Sequence, residues 1–359
     1  MSHWRTSHWR VRRWVRALAL GLTAALITSL SGCVLERRER SATPTHAFEQ
    51  LWEDYRAYYG LFEVKGVDWD ALHAEYAPRV NDQMSDAELY EVLVDMLTHL
   101  DDPHVTLYPA GNPELPTFSI DLVDGVFVEP PFDEALVEER YLHDAATPHP
   151  QLTYGHLAGG LGYIHLRSFD GKQRDYAEAL DRALRALADA PGLVVDIRDN
   201  PGGFDPLAQY VAGRFTDTRR AYMTVRKRNG AELDEFGPTR TWYVEPTGAR
   251  RFTGPIALLT TYATQSAGET FALAMRVNPQ VVQVGSTTGG AFSDAILRET
   301  WNGWAYTISV GDYRAPDGTS FEGVGLAPDV WVENTYDEVR AGRDAVLEAA
   351  TEWLLAGPP

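Results

Sequence analysis

A serine late in the chain, Ser266, stands where a nucleophile could be activated. It follows the apolar run Ile256–Thr260 after a short polar turn, and the small residues after it indicate a helix that begins there. A serine hydroxyl attacks a carbonyl only if a turn exposes it, a base takes its proton and backbone N–H groups receive the oxyanion. Serine is also a frequent N-cap, so the residue alone leaves two interpretations, nucleophile or helix cap.

A glycine-rich loop offers the second part of such a site. The segment Asp196-Ile-Arg-Asp-Asn-Pro-Gly-Gly-Phe204 follows a short apolar run and precedes a predicted helix. Glycines let a backbone N–H approach an anion, so the amides of Gly202 or Gly203, together with that of Ala267, are candidate oxyanion donors. Asp and Asn before Pro-Gly are equally typical of an ordinary turn, which is the alternative interpretation.

The elements that must position these residues alternate regularly in the second half of the chain, over residues 156–359. Short apolar runs predict strands, and longer amphipathic runs between them predict helices. This alternation is typical of an α/β fold with a mixed, largely parallel sheet and flanking helices. The predicted strands are Gly162–Leu166, Leu193–Ile197, Ile256–Thr260, Val281–Gly285, Trp304–Val310 and Val330–Glu333, and the predicted helices are Tyr176–Ala188, Pro206–Phe215 and Ser266–Val277.

Two shorter segments precede this core. Residues 46–110 show helical spacing of apolar residues and a capping box formed by Ser85 and Glu88, which predicts a small N-terminal helical subdomain. Residues 111–155 are richer in proline and short alternating runs, which predicts a β-rich connector. The room between Leu107 and Leu161 is too small for a peptide-binding PDZ domain, which needs roughly 80 to 100 residues.

Composition limits the partners. The 359 residues are 44% hydrophobic, as in ordinary globular proteins, and carry a net charge of −19. Such a charge is a poor match to nucleic acid or to an anionic membrane surface, so we expect neither as a direct partner. An acidic, soluble surface is the simplest meaning of this charge.

The N-terminus has the layout of an export signal. Five arginines precede an uncharged apolar run from Ala17 to Leu30, which is shorter than the roughly 20 residues of a membrane span. The run ends in Leu30-Ser31-Gly32-Cys33, which resembles a bacterial lipobox, so we expect residues 1–32 to be a lipoprotein signal peptide, Cys33 to be lipidated and 33–45 to be a polar tether. This predicts a lipid-anchored protein of the bacterial cell envelope; an uncleaved anchor is the alternative. Because Cys33 is the one cysteine, no internal disulfide can form.

Six segments in order carry a family resemblance. The chain resembles the tail-specific and tricorn-type serine peptidases, which include the C-terminal processing proteases and the interphotoreceptor retinoid-binding proteins. The resemblance spans residues 100–330 and implies a ClpP/crotonase-like core. The matching segments are Leu100-Asp-Asp-Pro-His-Val-Thr-Leu107, Gly162-Tyr-Ile-His-Leu166, Asp196-Ile-Arg-Asp-Asn-Pro-Gly-Gly203, Thr264-Gln-Ser-Ala-Gly-Glu269, Gly285-Ser-Thr-Thr-Gly289 and Glu322-Gly-Val-Gly-Leu-Ala-Pro-Asp329.

The resemblance also implies a base. One branch of the family uses a lysine about 25 residues after the serine, but the corresponding stretch here, Thr288-Gly-Gly-Ala-Phe292, has none. The tricorn-like branch uses a histidine ahead of the core and a late glutamate, which correspond to His104 and Glu322. An imidazole can accept a proton near neutral pH and return it to a leaving group. The serine that tricorn-type enzymes place before the histidine is Pro103 here, so the fourth member of their tetrad is missing or supplied elsewhere.

Taken together, the sequence predicts a serine-type peptidase that acts on peptides or unfolded proteins through an acyl-enzyme. The remaining histidines have no ligand-like spacing, with His99 and His165 expected to be structural, so we expect no metal and no cofactor. Glu269 is expected to be a helix-dipole or packing acid. The alternatives are an esterase with the same groups, or a catalytically silent family member that binds apolar ligands or peptides, with Trp301, Trp304 and Tyr306 as possible cavity residues. The oligomeric state is not predicted.

Overall fold

The computed structural model describes residues 43–357 except 121, 124, 125, 231, 233 and 234. The helices are α1 Pro44–Tyr58, α2 Phe62–Lys65, α3 Trp69–Tyr76, α4 Asp86–Thr98, α5 Glu134–Arg140, α6 Gln173–Ala186, α7 Asp205–Ala212, α8 Ala267–Arg276, α9 Tyr336–Arg340 and α10 Ala345–Ala356. The strands are β1 Thr106–Tyr108, β2 Phe118–Ser119, β3 Leu122–Val123, β4 Val126–Phe127, β5 Ala146–His149, β6 Leu152–His156, β7 Gly162–Leu166, β8 Leu193–Asp196, β9 Arg220–Lys227, β10 Arg240–Val244, β11 Ile256–Thr260, β12 Val281–Gly285, β13 Ala295–Glu299, β14 Ala305–Ser309, β15 Gly311–Arg314 and β16 Val330–Trp331.

A central sheet organises the second half of the chain. Its order is β16-β12-β11-β8-β7-β6-β5, with β16 through β7 parallel and the last two strands antiparallel. The predicted largely parallel sheet is therefore confirmed. Because Leu259 of β11 pairs with Asp196 of β8, the two strands end side by side. The loops that carry Ser266 and the glycine pair consequently leave the same edge of the sheet, where α/β folds place ligand sites.

Helices cover both faces of this sheet. Alternate residues of one strand enter different clusters: Val195 packs in the cluster that contains α6, α7 and α8, whereas Val194 packs with α10. Burial on both faces explains why the predicted strands are continuous apolar runs rather than alternating ones. The predicted helices are present, with α6 beginning three residues before the predicted start and α7 continued by a short 3₁₀ turn, Gly213–Phe215.

The N-terminal helices pack on a second, antiparallel sheet. Helices α1 to α4 share a hydrophobic cluster with Trp304, Tyr306 and Ile308. These aromatic residues are fully buried in this core, which favours their structural role over that of cavity walls. The sheet order is β13-β14-β1-β2, so β1, which follows α4 and residue His104, lies beside β14. The predicted capping box of Ser85 and Glu88 begins α4.

The segment predicted as a β-rich connector differs from that prediction. It contains a helix, α5, which begins at the N-cap Asp133. Strands β5 and β6 belong to the central sheet, so that sheet begins at Ala146 and not after residue 155. Within the described residues, nothing between β1 and β7 has the size of a PDZ domain.

The predicted signal peptide, Cys33 and most of the tether lie outside the described residues. Helix α1 begins at Pro44, capped by Thr43, two residues before the predicted start of the helical subdomain. In the part of the chain that the structure describes, none of the helices has the length and apolar character that crossing a bilayer requires.

Candidate active site

Ser266 lies at a sharp turn between β11 and α8. Its backbone has φ 53° and ψ −122°, and Asp101 is the one other non-glycine residue with positive φ among the described residues. Such a conformation costs of order 1–3 kcal/mol and persists where surrounding contacts impose it. The Ser266 side chain makes no capping hydrogen bond to α8, so it does not act as the N-cap that the alternative interpretation required. Its hydroxyl has no partner among the described residues and is not sealed from solvent.

Hydrogen bonds between the two loops hold this turn. The Gln265 N–H donates to the Asn200 carbonyl over 3.0 Å, and the Thr264 hydroxyl donates to the Ile197 carbonyl over 2.7 Å. Asn200 is fully buried, and its side-chain amide donates to the Leu166 carbonyl of β7 over 2.8 Å. The serine turn and the glycine loop therefore form one hydrogen-bonded unit at the end of the sheet.

Of the two amides in the glycine loop that were predicted as oxyanion donors, one has no hydrogen-bond acceptor. The Gly202 N–H already donates to the Asn200 side-chain oxygen over 2.9 Å, so the prediction that it could serve the oxyanion is corrected. The amides of Gly203 and Ala267 have no acceptor among the described residues, the latter because the first N–H groups of a helix lack intrahelical partners. Gly203 and Ala267 therefore remain the candidate oxyanion donors.

His104 lies in the turn two residues before β1, where its carbonyl accepts a hydrogen bond from Thr307 of β14. Its side chain is 17% exposed. The ring Nδ1 is buried without a hydrogen-bond partner, whereas Nε2 has no partner among the described residues and is open to solvent. The accessible nitrogen is the one that a base needs to reach a substrate or nucleophile.

A chain of contacts relates His104 to the Ser266 helix. Burial raises the pKa of Asp205, and the charge that His104 can carry opposes this shift, which means that the two side chains interact. Asp205 accepts a hydrogen bond from Thr270 over 2.8 Å, and the Thr270 N–H donates to the Ser266 carbonyl over 3.1 Å. His104 is thus within electrostatic range of Asp205, which contacts the Ser266 helix, and no hydrogen bond joins the side chains of His104 and Ser266 among the described residues.

Glu322, the predicted partner of His104, contacts other groups. One oxygen, Oε1, lies 3.0 Å from the Lys65 ammonium, and the other accepts the Phe292 N–H over 2.6 Å. Burial and the charge of Asp102 raise the pKa of Glu322 to about 8, although Lys65 opposes the shift. No described contact joins Glu322 to His104.

An acid that the sequence analysis did not single out lies beside the histidine. Asp102 is fully buried, accepts the His104 backbone N–H over 2.8 Å and has its Oδ1 3.9 Å from the ring Nδ1. The spacing Asp102-Pro103-His104 is the available signal, because an aspartate often accepts the N–H two residues later in an Asx turn.

Glu269 fixes the segment that follows β12. Its buried carboxylate accepts hydrogen bonds from Thr288 Oγ1 at 2.5 Å, Gly290 N at 2.8 Å and Ala291 N at 2.6 Å. Ala291 occupies the neighbourhood where the resemblance would have placed a lysine. Glu269 therefore holds this segment against α8, which is a more specific structural role than the packing acid expected from the sequence.

Two family models match the chain. Residues 160–332 match the model of peptidase family S41, and residues 41–98 match that of the tricorn protease C1 domain. Together these matches cover more than half of the chain. Residues 160–332 thus form a domain of peptidase family S41. The resemblance drawn from the six sequence segments is thereby confirmed.

Several S41 relatives share part of the chain. It is 26% identical to the carboxyl-terminal-processing protease of Synechocystis sp. over 55% of this chain and 44% of the relative, and 26% identical to the carboxy-terminal processing protease CtpA of Bacillus subtilis over 48% and 35%. The chain thus spans less than half the length of these relatives.

Solved structures give the same fold. A candidate peptidase from Parabacteroides merdae is 27% identical, with a TM-score of 0.76 over 88% of this chain and 98% of that one. The photosystem II D1 C-terminal processing protease, at 17% identity and a TM-score of 0.51 over 82% and 94% of the two chains, shows similarity of fold alone.

Glu269 makes the stability of this S41 chain depend on pH. Burial raises its pKa from 4.5 to about 7, so between these values the folded state binds more protons than the unfolded state. The free energy of unfolding should therefore fall as pH rises from about 4.5 to 7, by roughly 3 kcal/mol. Denaturant unfolding at pH 5 and pH 8 should show a smaller fall for Glu269→Gln than for the wild type. Equal falls in the two proteins would contradict the assignment, since Glu322 contributes a loss of the same sign to both.

Proposed function

We propose that this S41 chain is a serine peptidase that hydrolyses peptide bonds through an acyl-enzyme on Ser266. One observation carries the proposal: the strained backbone of Ser266 presents an unbonded hydroxyl next to the free N–H of Ala267. A hydroxyl that only capped the helix would be bonded to α8 and would need no strained backbone. Membership of a peptidase family supports a hydrolase, and the serine mechanism is the proposal.

The chemistry assigns a task to each group. The Ser266 oxygen attacks the carbonyl carbon while His104 Nε2 takes the hydroxyl proton, and the amides of Gly203 and Ala267 stabilise the oxyanion. His104 then gives the proton to the leaving amine, and water repeats the two steps on the acyl-enzyme. The contact between Ser266 and His104 must close when substrate binds, as catalytic hydrogen bonds of unliganded enzymes often do.

We also propose a class of substrate and a cellular location for the protein. Peptides or partly unfolded envelope proteins are the proposed substrates, in keeping with the names of the relatives as C-terminal processing proteases. Attachment to the bacterial envelope through lipid on Cys33 is proposed from the sequence pattern of residues 1–33. No direct contact with nucleic acid is proposed for a protein of net charge −19.

A fluorophosphonate probe tests the nucleophile without knowledge of the substrate. We expect the wild type to be labelled at neutral pH, Ser266→Ala to be unlabelled, and Ser286→Ala, a serine that follows the adjacent strand β12, to be labelled as the wild type is. Peptide mapping should place the adduct on Ser266. Absence of serine-dependent labelling would contradict the hydrolase and favour the silent, ligand-binding alternative.

A further inference from the structure

Four buried polar atoms around the proposed base lack hydrogen-bond partners among the described residues. They are Nδ1 of His104, Oδ2 of Asp102, the Tyr59 hydroxyl oxygen and Oε1 of Glu322. The other oxygen of Asp102 lies 3.9 Å from the His104 Nδ1. Buried polar atoms are nearly always hydrogen-bonded, so this short separation between the unpaired Nδ1 and a carboxylate indicates a hydrogen bond that a small rotation of the imidazole would form.

Glu322, the acid that the family resemblance implies as the partner of His104, contacts other groups. Oε1 of Glu322 forms an ion pair with the Lys65 ammonium at 3.0 Å but no hydrogen bond among the described residues, and Oε2 accepts the Phe292 N–H. Lys65 also donates to the Asp101 carbonyl, which ties it to the segment that carries His104. The pair of Lys65 and Glu322 is buried and neutral when both members are charged, so breaking it to free the glutamate would leave an unpaired buried ammonium.

We propose that Asp102, rather than Glu322, is the positioning residue that orients His104. The inference deepens the proposed function and rests on it. Asp102 accepts a hydrogen bond from Nδ1–H, which leaves Nε2 as the unprotonated nitrogen on the open side of the ring. When Nε2 takes the serine proton, the adjacent carboxylate stabilises the imidazolium.

The surroundings of Asp102 fit this role. Burial raises the pKa of Tyr59 and Tyr55, and the charge of Asp102 adds to both shifts, while the Tyr55 hydroxyl donates its hydrogen bond to the Thr307 carbonyl over 2.7 Å. Lys65 supplies the positive charge that offsets one of the two neighbouring carboxylates. The titratable groups around Asp102 and His104 are Tyr55, Tyr59, Lys65, Asp205 and Glu322.

Matched amide substitutions distinguish the two acids. The rate of fluorophosphonate labelling should fall at least about a hundredfold in Asp102→Asn and less than about tenfold in Glu322→Gln. The acidic limb of the rate–pH profile should move to lower pH in Asp102→Asn, because the imidazolium loses its carboxylate. If Asp102→Asn only disturbed the structure, the labelling rate would fall at every pH and the pH of the acidic limb would stay the same. Asp101→Asn is the control: Asp101 is exposed, and asparagine tolerates its φ of 47°.

A second measurement determines the tautomer of His104 in a protein that keeps Asp102 and lacks the proposed nucleophile. In the Ser266→Ala protein, nitrogen chemical shifts of ¹⁵N-labelled histidine, assigned with a His104→Gln variant, report the tautomer of the neutral ring. We expect the neutral ring of His104 to carry its proton on Nδ1. A proton on Nε2 would overturn the proposal. A labelling rate of Asp102→Asn within tenfold of the wild-type rate would overturn it as well. If the wild type is not labelled at all, the proposed function fails, and the tautomer still decides the role of Asp102.

Discussion

Replacing His104 by glutamine is expected to lower the rate of Ser266 labelling at neutral pH by about four orders of magnitude. Glutamine keeps most of the volume and can form hydrogen bonds, but it cannot take the serine proton and return it. Removal of a triad member leaves only the contribution of the oxyanion site and of binding, so losses of about 10⁴ or more are usual. The measurement is the second-order rate constant of the fluorophosphonate reaction.

A histidine on the surface provides the control for this variant. His143 is exposed, and its ring forms no hydrogen bond with the described residues, so His143→Gln should label as fast as the wild type. Thermal unfolding should show that both variants remain folded, because His104 contributes a partly exposed side chain and not a core residue. Labelling of His104→Gln at the wild-type rate would rule His104 out as the base.

The parts of the fold that depend on local pattern were predictable. Strands β7, β11 and β12 have the bounds expected from the sequence, because each is a short apolar run between turn residues and both its faces are buried. The parallel order followed from the alternation of strands and helices. The connector was harder: α5 has only seven residues, and the pairing of β6 with β7 is a tertiary contact that no local pattern specifies.

The sequence predicts the proposed nucleophile but only some of the contacts around it. Ser266 and Gly203 follow from loops at the ends of neighbouring strands, which any parallel sheet brings together. The loss of the Gly202 amide depends on where the Asn200 side chain points, and the diversion of Glu322 depends on Lys65, more than 250 residues earlier in the chain. Such contacts belong to the folded state, and no sequence pattern specifies them, which is why the resemblance favoured the late glutamate; the signal for Asp102 is its short spacing from His104.

Gly202 is the position where a single methyl group should do most harm to the geometry of Ser266. A Cβ at residue 202 would lie 2.7 Å from the Ser266 Cβ, 2.9 Å from the Ala267 nitrogen and 3.0 Å from the Gln265 carbonyl oxygen. Two of these neighbours are backbone atoms, so relief requires moving the serine turn itself. The φ of +112° would in addition strain an alanine.

Gly202→Ala should therefore reduce labelling of Ser266 by about a thousandfold or more, since it displaces both the nucleophile and one oxyanion donor. Gly171→Ala separates crowding from strain: Gly171 has φ +130°, but its nearest contact to an added Cβ is a Tyr176 ring atom at 3.4 Å. We expect Gly171→Ala to lose stability through the same backbone strain and to keep its labelling rate. The labelling rates of the two variants are compared at equal folded fraction. If both rates fall by the same factor, backbone strain alone explains the loss, and the contact between Gly202 and Ser266 does not contribute to labelling.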